Sequence, residues 1–182
     1  MSTALLLIDM QKDYFPGGKM ELEGALEASQ QARHVLMAFR QKGWPVIHVQ
    51  HISLHEGAGF LLPGTQGVEF HRNVVPWPDE IGIQKHYPNA FMETRLLEVL
   101  QEKGVRKLVI CGMMTQLCVD ATTRAAYDLG FTCTVVEDAC AAKSLRYKGQ
   151  HIPAQQVHAA FMAALDGVYA KVLSVHHLVA ER

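Results

Sequence analysis

Continuous apolar runs alternate with segments of helical periodicity along most of the chain. Residues Ala4 to Ile8 are all apolar, which is typical of a strand buried on both faces of a sheet. Apolar residues then recur at helical spacing from Ala25 to Phe39, which predicts a helix that stops at Gly43. The same patterns predict further strands at 46–52, 81–85, 107–111, 131–136 and 168–173, and helices at 96–104, 116–129 and 154–165.

This alternation of strands and helices predicts the fold class. Strands connected by helices pair in parallel through right-handed crossovers. We therefore expect an α/β protein, a three-layer α/β/α sandwich with a mainly parallel, doubly wound sheet of about six strands. No linker, repeat or low-complexity tract is visible, so residues 1–182 are predicted to form a single domain.

One long segment, residues 55–80, departs from the alternating pattern. It contains four glycines and three prolines and shows no apolar periodicity. A loop of this length inside a compact domain is usually functional. The segment is therefore predicted to be a lid or a binding loop.

Composition and charge argue against several functional classes. Lys and Arg number 17 against 18 Asp and Glu, so the chain has no basic excess for nucleic acid or an anionic membrane. No run approaches the roughly 18 apolar residues of a membrane span. The run from Ala4 to Ile8 is too short for a signal peptide and lacks preceding basic residues. We expect a cytoplasmic protein that acts on a small molecule.

The turns after the first and fourth predicted strands differ from nucleotide-binding motifs. The turn from Asp9 to Asp13 lacks G-x-G-x-x-G, and the turn from Gly112 to Gln116 lacks the Gly-Lys-Ser/Thr of a P-loop. Dinucleotide and ATP binding are therefore disfavoured, whereas flavin binding on such a sheet is left open.

Three reactive side chains fall at the ends of predicted strands. Asp9 ends the first strand, Lys85 ends the third, and Cys118 opens the helix after the fourth. Ligands of parallel sheets gather where the carboxyl ends of the strands meet, so these residues are expected to lie together. A base, a cation and a nucleophile are the groups that acyl transfer requires. The other cysteines, Cys111, Cys133 and Cys140, are expected to be buried packing residues.

The position of Cys118 predicts a reactive sulfur. Thr115 can cap the helix, which places Cys118 in the first turn, where free N–H groups carry partial positive charge. Thiolates are stabilised there, and the same N–H groups can bind an oxyanion. Lys85 and Asp9 should largely cancel, so we expect a modestly lowered pKa for Cys118.

Four segments of the chain share one resemblance. In chain order they are Leu6–Tyr14, Pro63–Glu69, Lys85–Phe91 and Gly112–Val119. They resemble, in the same order, the opening strand with its D-x-Q-x-D-aromatic turn, a loop that many members carry before the lysine, the lysine segment and the nucleophile turn of the isochorismatase-like cysteine hydrolases.

The resemblance implies a fold and a mechanism. Cys118 would attack a carbonyl to give a thioester, Asp9 would carry the proton to the leaving amine and later activate water, and Lys85 would support the negative charges. The Met113–Met114 peptide bond would be cis, and the N–H groups of Met114 and Cys118 would form the oxyanion hole. A homo-oligomer is also expected.

Departures from known subfamilies narrow the expected activity. Isochorismatases that cleave a vinyl ether lack the nucleophilic cysteine, so Cys118 favours cleavage of an amide-type C–N bond. Nicotinamidases carry a D-x-H metal motif after the second strand, but no carboxylate precedes His51 here. His48 lies an odd number of residues away and should face the other side of the strand. We therefore expect neither a metal nor an organic cofactor, and structural or solvent-facing roles for these histidines.

Two alternatives stay open, a metal-dependent nicotinamidase and a non-enzymatic binding module with the same doubly wound fold. If the protein is an enzyme, residues near the predicted strand ends are candidates for substrate contact. These candidates are Gln11, Tyr14, Phe15 and Phe91.

Overall fold

The protein is built on a central parallel sheet, seen in a computed structural model that describes residues 2–180. The strands are β1 Ser2–Ile8, β2 Val46–His51, β3 Ile81–Lys85, β4 Val105–Met113, β5 Thr132–Ala141, β6 Leu145–Tyr147, β7 Gln150–Ile152 and β8 Lys171–Leu173. The helices are α1 Ala25–Gln41, α2 Leu96–Glu102, α3 Asp120–Asp128, α4 Ala154–Leu165 and α5 Val175–Ala180. Six strands form the main sheet in the order β3-β2-β1-β4-β5-β8, and every neighbouring pair is parallel.

Helices cover both faces of this sheet, which confirms the predicted α/β/α sandwich. Along β1, Ala4, Leu6 and Ile8 belong to the core shared with α2, α3 and α4. The residues between them, Leu5 and Leu7, belong to the core shared with α1 and α5. Both faces of the strand are buried, which is why its sequence is continuously apolar.

Some boundaries differ from the sequence prediction. β5 continues past Val136 to Ala141, and β8 begins only at Lys171. The hairpin of β6 and β7 and the short helix α5 were not predicted. The helix predicted from Gln116 begins as a π-helical turn, Thr115–Val119, and becomes regular in α3. No helix within residues 2–180 is long and apolar enough to span a bilayer.

The strand order reverses beside β1, where the chain leaves β3 at one edge and returns as β4. Such a reversal opens a crevice at the carboxyl ends of the two central strands. Gly112 lies near the end of β4, opposite Ile8. A Cβ at this position would lie 2.2 Å from the carbonyl oxygen of Ile8, and the φ of Gly112 is +149°. Only glycine allows β4 to approach β1 this closely.

Residues 55–80 form an irregular loop, as predicted, with two short 3-10 turns at Gln66–Val68 and Arg72–Val74. The loop is tied to the turn that follows β1. The N–H of Lys12 donates to the carbonyl of Glu69, and the N–H of His71 donates to the carbonyl of Met10. The loop therefore lies at the carboxyl ends of the strands.

Candidate active site

The structure brings together the three side chains that the sequence places at strand ends. Lys85 Nζ lies 2.7 Å from Asp9 Oδ2 and 3.3 Å from Cys118 Sγ. Asp9 and Lys85 are fully buried, and only 5% of Cys118 is exposed. A carboxylate, an ammonium and a sulfur thus meet in a site that is almost closed to bulk water.

Asp9 is presented by a sharp turn at the end of β1. Its φ is +51°, in the left-handed region, which Asp adopts more readily than most residues. The turn is held by two backbone hydrogen bonds. The Asp9 N–H donates to the carbonyl of Val49 at 3.0 Å, and the Gln11 N–H donates to the carbonyl of Asp9 at 2.8 Å.

Cys118 is presented by the π-helical turn that follows β4. The carbonyl of Met114 accepts hydrogen bonds from the N–H groups of Leu117 and Val119, at 3.1 and 3.2 Å. The Met113–Met114 peptide bond is cis, as the resemblance implies. Both residues predicted to form the oxyanion hole, Met114 and Cys118, therefore lie in this one tight connection.

Burial determines the protonation of the site. It raises the pKa of Asp9 and outweighs the opposing effect of Lys85. Burial also raises the pKa of Cys118, and the carboxylate of Asp9 raises it further, against the effect of Lys85. The expected lowering of the Cys118 pKa is therefore wrong, and the resting sulfur is a thiol. For Lys85, burial lowers the pKa, but Asp9 and Cys118 outweigh burial and leave it raised.

The buried carboxylate has two neighbours in the site. Asp9 Oδ2 faces the Lys85 ammonium, the Cys118 thiol is a hydrogen-bond neighbour of the carboxylate, and Asp9 Oδ1 makes no further hydrogen bond within residues 2–180. A fully buried carboxylate oxygen with no further partner is uncommon in a folded protein. Here it supplies a lone pair that can accept a proton.

His51 is a member of the site that the sequence analysis did not identify. It ends β2, directly opposite Lys85 in the register of β2 and β3. Its Nδ1 lies 2.9 Å from Lys85 Nζ. The shared position at the ends of neighbouring predicted strands was the available signal, but a strand pattern does not show how a ring is turned.

Gln11 holds the backbone of His51 by hydrogen bonds. Its Nε2 donates to the carbonyls of His51 and Val68, both at 2.8 Å, and its Oε1 accepts from the His51 N–H at 2.8 Å. The side chain is fully buried. Because its amide is engaged by backbone groups, this placement does not support substrate contact, which stays a prediction.

The three aromatic candidates lie in different surroundings. Tyr14 is buried beside the site, where burial raises its pKa well above the ordinary value and the negative charge of Asp9 adds to the rise. Phe15 stacks on His71, with ring centroids 3.8 Å apart. It lines a cavity of about 560 Å³ whose walls do not include the three predicted catalytic residues.

Phe91 packs elsewhere. Its ring stacks on Phe131, which directly precedes β5 and so lies toward the amino end of that strand. The carboxyl ends of the strands hold the candidate catalytic residues. The placement of Phe91 therefore gives no support for substrate contact.

One group of side chains within the described chain has the chemistry of metal ligands at short range. Ligand atoms of Asp9, His51 and Cys118 lie within 4.8 Å of one another. The Lys85 ammonium contacts all three, so a positive charge of the protein itself lies among them. His48 does not join this group, since its Nε2 lies 2.8 Å from the carboxylate of Glu80.

Comparisons with known proteins agree with the fold. The family of the isochorismatase domain matches residues 3–176. The isochorismatase family protein YddQ of Bacillus subtilis is 53% identical over 172 residues, 94% of this chain and 96% of YddQ. A crystal structure from Oleispira antarctica, assigned as an isochorismatase hydrolase, has a TM-score of 0.94 at 47% identity and covers 98% of this chain and 96% of its own.

A more distant relative has a named reaction. The ureidoacrylate amidohydrolase RutB of Caulobacter vibrioides is 29% identical over 171 residues, 76% of this chain and 76% of RutB. Together these matches confirm the resemblance found in the sequence. The chain belongs to the isochorismatase family and is a hydrolase of the isochorismatase-like type.

Proposed function

We propose that this hydrolase cleaves an amide-type C–N bond of a small molecule through a thioester on Cys118. The main support is the buried Lys85 ammonium, which lies between the carboxylate of Asp9 and the sulfur of Cys118 at 2.7 and 3.3 Å. A nucleophile, a proton carrier and a fixed cation are the groups that covalent acyl transfer uses. The amidohydrolase name of RutB agrees with this chemistry.

The first step transfers a proton and forms a C–S bond. Because Cys118 rests as a thiol, its proton must leave as the sulfur attacks the carbonyl carbon. Asp9 receives it, since burial raises the pKa of that carboxylate and the Cys118 thiol is its hydrogen-bond neighbour. The carbonyl oxygen becomes an oxyanion, for which the N–H groups of Met114 and Cys118 are the proposed donors. Such donors contribute about 3–4 kcal/mol each.

The second step breaks the C–N bond. The oxyanion collapses, protonated Asp9 gives its proton to the leaving nitrogen, and the acyl group stays on Cys118 as a thioester. Asp9 then takes a proton from water as the water oxygen attacks the thioester carbonyl. The acid product leaves when the thiol is restored with that proton. Lys85 remains charged throughout and offsets the negative charge that moves between Asp9 and Cys118.

The proposal is tested by a screen of small amides for release of ammonia or amine. Cys118→Ala should lose nearly all turnover with an unchanged circular dichroism spectrum. Asp9→Asn should lose a factor of about 10²–10⁴, the range of general acid–base catalysis. Cys133→Ala is the matched control, because Cys133 is another buried cysteine and lies at the amino end of β5, away from the strand ends that hold the site.

Mass spectrometry supplies an independent measurement. A trapped acyl group should map to the peptide that holds Cys118 and to none with Cys111, Cys133 or Cys140. Turnover by Cys118→Ala comparable to that of the wild type would contradict the proposal. Retained binding without any turnover in either protein would favour the binding-module alternative.

A further inference from the structure

The Lys85 ammonium contacts three hydrogen-bond acceptors, and only two of them take part in the proposed reaction. An ammonium carries three donors, and three acceptors surround this one. They are Asp9 Oδ2 at 2.7 Å, His51 Nδ1 at 2.9 Å and Cys118 Sγ at 3.3 Å. Two of them belong to the acyl-transfer steps, whereas His51 has no part in those steps.

The contact with Lys85 determines the protonation state of His51. An ammonium can only donate, so Nδ1 must accept and must carry no proton. Burial lowers the pKa of His51 to about 4, and the charge of Lys85 is the next largest cause, followed by His86 and His55. At neutral pH the ring is therefore uncharged and carries its single proton on Nε2.

His51 is rigidly held, yet it is the most open member of the site. The Gln11 side chain bonds both the N–H and the carbonyl of His51 at 2.8 Å. Asp9 and Lys85 are fully buried, whereas His51 is partly exposed. Its Nε2 makes no hydrogen bond within residues 2–180 and is not among the buried, unpartnered atoms of that range.

The Nε2–H belongs to a ring that lies next to the nucleophile, and it is suited to bind an acceptor. A ring nitrogen of His51 lies within 4.8 Å of both Cys118 Sγ and a carboxylate oxygen of Asp9. The hydrogen bond from the Lys85 ammonium to Nδ1 withdraws electron density from the ring, which makes Nε2–H a stronger donor. Carbonyl and carboxylate oxygens are the acceptors that match such a donor.

We propose that His51 binds substrate, with its Nε2–H donating to a carbonyl or carboxylate oxygen close to the scissile amide. This assignment rests on the proposed function of Cys118, and it defines the substrate class further. Preferred substrates are small amides that carry a second oxygen acceptor next to the bond that breaks. The matched probes are malonamate, which has a carboxylate one methylene from its amide, and 3-methylbutanamide, which has an isopropyl group in its place.

Nitrogen-15 NMR of the wild-type imidazoles tests the assignment directly. His51 should show the Nε2–H tautomer and should not titrate between pH 5 and 8. Its resonances are identified by their loss in His51→Asn. Malonamate should shift the Nε2 signal, whereas 3-methylbutanamide at the same concentration should not. A proton on Nδ1, titration near neutral pH, or an Nε2 signal that malonamate leaves unmoved would overturn the proposal.

Two variants distinguish the role of His51 Nδ1 as an acceptor from the role of Nε2–H as a donor. In His51→Asn the new amide oxygen would replace Nδ1 as acceptor, but no donor would remain at the Nε2 position. This variant should therefore lose the preference for malonamate by about 10- to 100-fold in kcat/KM. His51→Gln extends an amide toward the Nε2 position and should keep part of that preference. Equal preference in the wild type and in His51→Asn would contradict the role of His51.

Failure of this proposal is distinguishable from failure of the proposed function. If Cys118→Ala hydrolyses both amides as the wild type does, the cysteine mechanism is wrong whatever His51 binds. If Cys118→Ala is inactive while His51→Asn keeps the wild-type preference and kcat/KM, the mechanism stands and the assignment of His51 is wrong.

Discussion

At the residue scale, burial of the sulfur outweighs the neighbouring Lys85 in setting the pKa of Cys118. A helix start and a nearby lysine favour a thiolate, and both are visible in the sequence. The depth of Cys118 is not visible there, because it depends on how distant segments cover the turn. With 5% of Cys118 exposed, the loss of hydration penalises the thiolate more than Lys85 favours it.

Replacing Lys85 should make Cys118 less reactive. In Lys85→Met the carboxylate of Asp9 loses its counter-ion, and the pKa of Cys118 should rise further. A unit charge about 4 Å away is worth roughly 4 kcal/mol at an effective dielectric of 20. Labelling of Cys118 by iodoacetamide at a fixed alkaline pH should therefore fall by at least about tenfold, as measured by peptide mass spectrometry.

Lys107→Met is the control for this experiment, since Lys107 is exposed on β4. It removes a positive charge from the same chain without changing the site. Equal labelling rates at Cys118 with Lys or Met at position 85 would show that Lys85 does not stabilise the sulfur.

At the element scale, Asp13 connects the turn after β1 with the segment at Lys19 and with the loop of residues 55–80. Its Oδ2 accepts the N–H of Leu61 at 2.6 Å, and its Oδ1 accepts the N–H of Lys19 at 3.1 Å. Gly67 packs so closely that a Cβ there would lie 2.2 Å from the carboxylate carbon. The loop of residues 55–80 is thus ordered by polar contacts with its neighbours, which is why it has no apolar periodicity.

Asp13→Asn should loosen this loop. An Asn side chain has one acceptor oxygen, so its NH₂ group must face one of the two N–H donors that the carboxylate satisfies. Losing a hydrogen bond to a charged group should speed amide exchange at Leu61 by about 10- to 100-fold. Hydrogen exchange measured by mass spectrometry checks this. Asp79→Asn changes an exposed acid in the same loop and should leave the exchange at Leu61 unchanged. Comparable exchange at Leu61 in Asp13→Asn and the wild type would show that this carboxylate does not order the loop.

The elements missed in the sequence share a physical cause. β6 and β7 have three residues each and are largely exposed, so they have no apolar run to detect. The turn between them has positive φ at both Lys148 and Gly149. Hairpin turns of this kind usually contain Asn-Gly or Asp-Gly, and Lys-Gly does not give that sequence signal. The prediction for β5 ends too early because Glu137 and Asp138 interrupt the apolar run. In the structure both side chains are exposed, and the strand continues through them.

At the scale of the whole molecule, a polar cluster joins α1, β2 and the end of the loop. Arg40 binds the carboxylate of Glu80 through Nε and Nη2 at 2.7 and 2.8 Å, and His48 Nε2 lies 2.8 Å from the same carboxylate. Burial alone would raise the pKa of Glu80. Hydrogen bonds from Arg40, from the N–H of Trp77 and from His48 outweigh burial and lower it to about 2.

This cluster should make stability depend on pH in the acid range. The pKa of Glu80 is lower in the folded protein than the ordinary 4.5, so the ionised carboxylate stabilises the fold above that value. The stabilisation is lost as the pH falls from about 4.5 toward 2. At pH 7, Glu80→Gln should lower the free energy of unfolding by about 2–3 kcal/mol.

Urea denaturation of the wild type and Glu80→Gln at pH 7, 5, 4 and 3 measures this effect. The difference between the two proteins should shrink as the pH falls. Glu56→Gln is the control, since Glu56 is exposed in the same loop. A difference that stays constant from pH 7 to pH 3 would show that the ionised carboxylate is not the source of the stability.

The overall architecture followed from the alternation of apolar runs and helical segments, because parallel strands need a crossover connection to return the chain and that connection is usually a helix. Between β2 and β3 the loop of residues 55–80 makes this connection instead. The order of the strands did not follow, since the alternation is the same for several doubly wound sheets. Asp9, Lys85 and Cys118 were predicted to lie together because all three end or follow strands, and the structure places them in contact. The contact of His51 with Lys85 depends on register and ring orientation, which only the folded chain shows.

The buried, protonated sulfur has a consequence for the lifetime of the protein. Peroxides oxidise thiolates to sulfenic acid and then irreversibly to higher acids, whereas thiols react far more slowly. In the proposed mechanism Cys118 keeps its proton until Asp9 removes it during attack on a carbonyl, so an oxidant that reaches the resting site would meet a thiol. On that mechanism the sulfur would be open to oxidation mainly during turnover, and the resting protein should keep its activity through an exposure to peroxide.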